Sequence, residues 1–63
     1  MDMVGNVGHI KQTIKDLSKT NKVITLDQII EASGVNDPRD EIETLVKRGY
    51  IIKLSPEEFR WVY

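Results

Sequence analysis

The chain has 63 residues, of which 40% are hydrophobic and 30% are charged, so it can form one small domain that needs nearly all its apolar side chains in a single core. Nine basic and ten acidic residues give a net charge of −1, which provides no overall field to attract nucleic acid or anionic membrane. The sequence has no cysteine and one histidine, His9, which excludes disulfides and the usual zinc ligand sets. We therefore expect a cytoplasmic domain with no cofactor, no metal and no membrane span.

Apolar residues at helical spacing define the first element. They recur three and four residues apart, which is the period of one helix face, and are Val7, Ile10, Ile14 and Leu17. The spacing predicts a helix over residues 6–19. Residues 1–6 are expected to be a linker or an artificial start, and residues 7–63 the domain.

The second helix is predicted from its capping residues. Lys22–Ile24 is a short β-branched run that suits an edge strand. Thr25 and Gln28 have the spacing of a capping box, which places the start of a helix at Leu26. Gly34 is expected to end this helix, after about Ser33, in a left-handed conformation.

A third helix is predicted to begin at Asn36-Asp37-Pro38, with Asp37 as the cap and Pro38 as the first helical residue. Its buried stripe is expected to be Ile42, Leu45 and Val46, and Gly49 is expected to end it. Only Gly34–Asp37 separates the second helix from the third, which is the spacing of a helix-turn-helix.

Two strand-like runs close the chain, at residues 50–54 and 59–63, with a polar turn over Ser55–Glu58. Alternation predicts Phe59 and Trp61 on the core-facing side. The order of elements predicts an α+β fold, a winged helix-turn-helix with three helices and a small antiparallel β-hairpin wing.

The last third of the chain resembles a known family. The resemblance is carried by Gly49, Ile51, Pro56, Phe59, Arg60 and Val62, and the apolar spacing upstream also fits. These positions are similar to the closing segment of the C-terminal winged-helix domain of minichromosome maintenance (MCM) replicative helicases, of archaeal type. The resemblance implies a parent that is an ATP-dependent DNA helicase, with this chain as an appended regulatory domain that is not itself an enzyme. It also implies a nucleoid-associated location in a prokaryote or a nuclear one in a eukaryote.

The predicted recognition helix and wing carry acidic residues where a DNA reader needs cations. Carboxylates near phosphates repel them by about 1 kcal/mol each even in high dielectric, and these are Asp37, Asp40, Glu41, Glu43, Glu57 and Glu58. Weak or no DNA binding is therefore expected. If DNA is bound, the candidate contacts are Arg39, Thr44, Lys47, Arg48, Lys53 and Arg60.

Docking on a protein is the favoured function, on the parent helicase or on another replication factor. The candidate docking residues are Lys11, Lys15, Lys19, Glu43, Tyr50, Glu57 and Glu58. Two alternatives remain: a DNA-binding winged-helix transcription regulator, and a protein-interaction winged helix of another complex. The isolated domain is expected to be a monomer, and His9 a residue of the surface or rim.

Overall fold

A computed structural model describes residues 4–63, with side chains described from residue 6 onward. These residues form a small α+β domain in which three helices pack with a three-stranded antiparallel sheet, an arrangement compatible with a winged-helix layout. None of these helices is long and apolar enough to cross a membrane. The elements are α1 (Val4–Ser18), β1 (Ile24–Thr25), α2 (Leu26–Ser33), α3 (Arg39–Lys47), β2 (Ile51–Ser55) and β3 (Glu58–Trp61).

The first helix begins at Val4, two residues before the predicted start. Gly5 and Gly8 lie in this part of the helix, but a glycine costs a helix only about 1 kcal/mol and does not stop it. Part of the predicted linker is thus helical, while Met1–Met3 lie outside the described residues.

The sheet has the order β1-β3-β2, so the hairpin strand β3 is central and β1 lies at an edge, as predicted. Ile24 pairs with Phe59, and Ile51 with Trp61. The predicted four-residue turn is too long, because Ser55 and Glu58 pair with each other across a register irregularity that follows Lys53.

The capping box of α2 is confirmed. The Thr25 hydroxyl accepts from the Gln28 backbone N–H at 3.2 Å, and the Gln28 side-chain oxygen accepts from the Thr25 N–H at 2.9 Å. Gly34 ends the helix with φ of 77°, in the left-handed region that favours glycine.

The predicted cap of α3 is wrong. Pro38 occupies the cap position, its carbonyl accepts from the Ile42 N–H at 2.9 Å, and no side chain caps the helix. Because the first backbone bond of the helix runs to the Pro38 carbonyl, Asp37 lies one residue upstream of the cap position, and its carboxylate lies 3.7 Å from Arg39 Nε instead.

The core combines one face of each helix with the inner face of the sheet. Its buried apolar residues are Ile10, Ile14, Ile24, Leu26, Ile29, Ile42, Leu45, Ile51 and Phe59. Ile42 and Leu45 are buried as predicted, whereas Val46 is only half-buried, and the charged Glu41 is buried. Trp61 packs partly buried against the core.

Candidate interaction surfaces

A trough runs between α1 and the facing side of α3. On α3 its lining follows the helical period and consists of Asp40, Glu41, Thr44, Leu45 and Arg48, with Asp37 just before the helix. On α1 it is lined by Val7, Gly8 and Lys11. A β-carbon placed on Gly8 would meet no atom within 4 Å, so the α1 side of the trough has free space.

One half of the trough is basic. It has a volume of about 470 Å³, and its charged lining residues are Lys11 and Arg48. Lys11 Nζ lies 4.3 Å from the centroid of the Tyr50 ring, a distance at which the cation is attracted to the aromatic face. Half-buried Val7 supplies apolar surface beside these charges, whereas Leu45 is fully buried in the core beneath them. This half combines two cations with an apolar surface, which suits an amphipathic acidic ligand.

Three aromatic residues cluster beside the basic half. The Tyr50 ring lies 4.6 Å from Tyr63 in an edge-to-face arrangement and 6.2 Å from Trp61 in a stacked one. Tyr63 is 78% exposed. The cluster packs around the Tyr50 ring, whose face the Lys11 ammonium contacts, and so places aromatic surface next to one cation of the trough.

The other half of the trough is acidic and contains an unpartnered buried oxygen. It has a volume of about 230 Å³ and shares the lining residues Val7 and Thr44 with the basic half, so the two halves of the trough are adjacent. Its charged lining residues are Asp37, Asp40 and Glu41. Glu41 is only 9% exposed, and its Oε1 has no hydrogen-bond partner among the described residues.

The proline at the cap position explains why Glu41 lacks a hydrogen-bond partner. A glutamate at the third position of a helix normally accepts from the backbone N–H of the cap residue. Pro38 has no N–H, so this bond cannot form in α3 as it does between Thr25 and Gln28 in α2. This feature was not predicted, because Asp37 was expected to be the cap; a glutamate three residues after a capping proline is the signal for it.

The opposite side of α3, which faces the β2–β3 hairpin, has its cations paired with carboxylates. Lys53 Nζ lies 3.7 Å from Glu43 Oε2, and Arg39 Nε lies 3.7 Å from Asp37 Oδ1. These pairs are exposed and each contributes at most about 1 kcal/mol. Their consequence is electrostatic: they reduce the positive charge that a nucleic-acid phosphate would meet here.

The outer face of the sheet is partly apolar. Arg60 pairs with Ile52 across the strands, and Leu54 and Val62 on the same hairpin are half-exposed. Arg60 has no carboxylate within 4 Å among the described ion pairs.

The six candidate DNA contacts lie on different faces. Arg39 and Lys53 lie between α3 and the hairpin, whereas Thr44 and Arg48 line the trough on the α1 side. Arg60 lies on the outer face of the sheet, paired with Ile52. Lys47 is exposed on α3. The structure therefore does not bring the set together into one basic surface.

Of the candidate docking residues, the structure brings Lys11 and Tyr50 together. Lys15 and Lys19 are exposed further along α1, with Lys19 Nζ 3.7 Å from Asp16. Glu57 and Glu58 lie at the tip of the hairpin, where Glu58 accepts from the Ser55 hydroxyl at 3.1 Å. Glu43 faces the hairpin.

His9 is exposed, as predicted, and its Nε2 lies 2.8 Å from the Ser33 carbonyl oxygen, which ties α1 to the end of α2. Among residues 4–63, no group of three or more histidine, cysteine or acidic side chains is arranged to hold a metal ion.

Compared with protein-family models, with curated proteins and with solved structures, the chain gives no significant match. The structure by itself defines the class of the domain, which is a small α+β fold with opposite charges at the two ends of its α1–α3 trough.

Proposed function

We propose that this chain is a non-catalytic winged-helix domain that docks on protein, with β2 and β3 as its wing, and that it regulates an MCM-type replicative DNA helicase. The observation that carries the docking role is the pairing of Arg39 with Asp37 and of Lys53 with Glu43, each at 3.7 Å. A winged helix that reads DNA presents cations from its third helix and wing to phosphates. Here carboxylates accompany those cations.

The proposed link to the MCM family rests on residues of the β2–β3 hairpin and of the connection from α3 to β2. Gly49 has φ of 84° and connects α3 to β2. Ile51 and Phe59 enter the core from the two strands, and Pro56 lies in the tight turn between them. In the resembled domain these positions have the same character, which supports an appended regulatory role without an ATPase site.

The proposal is tested by adding the purified chain to an MCM-type helicase ring that lacks its C-terminal domain. We expect the unwinding rate or the ATPase rate to change at saturating chain, while the affinity of the ring for forked DNA stays within about twofold. The matched control is the double variant Lys11→Glu, Arg48→Glu, which reverses both cations of the trough. If the chain neither binds the ring nor alters its rates, the helicase assignment is wrong.

A DNA-binding winged-helix regulator is the second candidate. It is favoured by Lys47 and Arg60, which have no carboxylate within 4 Å among the described ion pairs. A DNA-binding role predicts that Lys47→Ala together with Arg48→Ala abolishes a low-salt band shift. It is rejected if the band shift is unchanged by this double variant.

A further inference from the structure

We infer that the α1–α3 trough binds an amphipathic helix of a partner protein. This helix carries an acidic side chain and a basic side chain about two turns apart, with aliphatic residues between them. The inference rests on the docking role proposed above and names its site and the chemistry of the partner.

The spacing of the charges defines the partner. Arg48 and Asp40 are eight residues apart on the same side of α3, which corresponds to about 12 Å along the helix axis. A complementary helix needs its acid and base separated by about the same distance. Val7 lines both halves and so lies between the charged ends, and the residues between the acid and the base should therefore be aliphatic.

The direction of the partner helix follows from helix dipoles. A helix favours acidic residues near its N-terminus and basic residues near its C-terminus. If the partner's acid lies against Arg48 and its base against Asp40, the partner runs antiparallel to α3. Both charges are then favourable within the partner helix as well as across the contact.

Glu41 is the second, independent observation at the acidic end. Its Oε1 is buried without a donor, and an unsatisfied buried acceptor has a cost of roughly 1–3 kcal/mol. An ammonium or guanidinium group that packs beside Asp40 lies next to the Glu41 side chain, and it can supply the missing donor once the enclosed carboxylate turns toward the trough. Binding of the partner's base would then remove a cost present in the free domain.

Charge favours a peptide over single-stranded nucleic acid as the occupant. Tyr50 and Tyr63 beside two cations would suit stacked bases and phosphates. However, a polyanion laid along the trough would meet Asp40 and Glu41 at its other end, beside Asp37, whose charge is paired with Arg39. Only an occupant with both signs of charge is complementary to the whole trough.

The test uses a synthetic 16-residue helical peptide with Glu in its first half, Lys eight residues later and Leu on the same face between them. Binding to the isotopically labelled full chain is followed through backbone amide shifts. We expect saturable shifts at Val7–Lys11 and Asp40–Arg48, and a peptide with Gln at both charged positions should bind about fivefold more weakly.

Charge reversal on the domain gives the matched control. Arg48→Glu should weaken the peptide at least about fivefold, whereas Lys47→Glu, its exposed neighbour outside the trough lining, should change the affinity less than about twofold. A peptide with Lys in place of its Glu should recover binding to the Arg48→Glu variant. Recovery identifies a direct contact, and a merely destabilised variant would not show it.

Three results overturn the inference: no shifts at millimolar peptide, equal losses for Arg48→Glu and Lys47→Glu, or tighter binding of a twelve-nucleotide oligo-dT at the same residues. If neither the peptide nor duplex DNA binds, the trough is not the docking site, but the proposed docking role is not contradicted. Duplex binding through α3 and the hairpin rejects the docking role itself.

Discussion

Glu41 is a buried charge that the free domain holds without a hydrogen-bond donor at Oε1. Its place in the first turn of α3 gives a favourable dipole interaction of about 0.3–1 kcal/mol. An unsatisfied buried acceptor costs roughly 1–3 kcal/mol, so the unfavourable effect dominates.

Glu41→Met is therefore expected to raise the free energy of unfolding by about 1 kcal/mol, because methionine has a similar length and no polar atom to satisfy. Urea denaturation measures this change. Asp40→Asn, in the same turn but exposed, is the control and should lower stability by about 0.3–1 kcal/mol. A destabilised Glu41→Met variant would contradict the assignment of an unsatisfied carboxylate.

Thr25 makes the local bond that starts α2. Thr25→Ala removes the acceptor of the Gln28 N–H and should lower the free energy of unfolding by about 1 kcal/mol. Thr20→Ala makes the same chemical change at an exposed position and should stay within about 0.5 kcal/mol of the wild type. Equal effects in thermal or urea unfolding would argue against the cap.

At the scale of helices and strands, substitutions at two glycines distinguish the effect of backbone conformation on stability from the effect of side-chain packing. Gly49 has φ of 84°, and a β-carbon on it would meet nothing within 4 Å, as is also true of Gly8 in the middle of α1. A β-carbon is thus free of clashes at both sites, while the backbone is helical at Gly8 and has positive φ at Gly49.

Gly49→Ala should consequently destabilise the domain by about 1 kcal/mol, because alanine is disfavoured at positive φ. Gly8→Ala should stabilise it by about 0.5–1 kcal/mol through helix propensity. Both changes are read from denaturation midpoints at constant m-value. We expect the change in the free energy of unfolding to have opposite signs for the two variants. A change of the same sign in both would contradict this account of the α3–β2 connection.

Local signals predicted the elements well. Thr25 and Gln28 bond to each other at the start of α2, and the Gly34 N–H donates to the Ile30 carbonyl at its end, so the local spacing was sufficient. Pro38 was misplaced by one position, because its burial depends on tertiary packing and not on the neighbouring residues. The pairing of Ile24 with Phe59 also needed the structure, since these residues are 35 positions apart.

The trough could not be predicted from the sequence either, because it is formed by residues that are far apart along the chain. Lys11 and Tyr50 were each named as docking candidates, but their contact depends on how α1 packs against α3 and the start of β2. The separation of two predicted DNA contacts could have been read from the sequence, because adjacent helical residues such as Lys47 and Arg48 point about 100° apart. Which of the two faces α1 needed the structure, which places Arg48 there.

Across the whole molecule, the arrangement of charge matters more than its sum. The net charge is −1, yet the trough is basic at one end and acidic at the other, and the α3–hairpin side has paired charges. A protein partner can match this alternation of sign, whereas a phosphate backbone with a single sign cannot.

Reversing two carboxylates on α3 should raise the affinity of the chain for duplex DNA. The double variant Asp40→Lys, Glu43→Lys changes the net charge by +4 units relative to the native chain and frees Lys53 from its ion pair. We expect duplex affinity at low salt to rise at least about tenfold, with a steep salt dependence. Fluorescence anisotropy checks this, and an unchanged affinity would show that charge is not what prevents DNA binding.

The most direct test of the docking role is an amide-shift titration of the native chain with short duplex DNA, first at about 0.02 M and then at about 0.15 M salt. The account predicts no saturable shifts at the higher salt, and only weak shifts near Lys47 and Arg60 at the lower one. Saturable shifts at 0.15 M salt along Arg39–Lys47 and at Pro56–Glu57 would contradict it and identify the domain as a DNA reader.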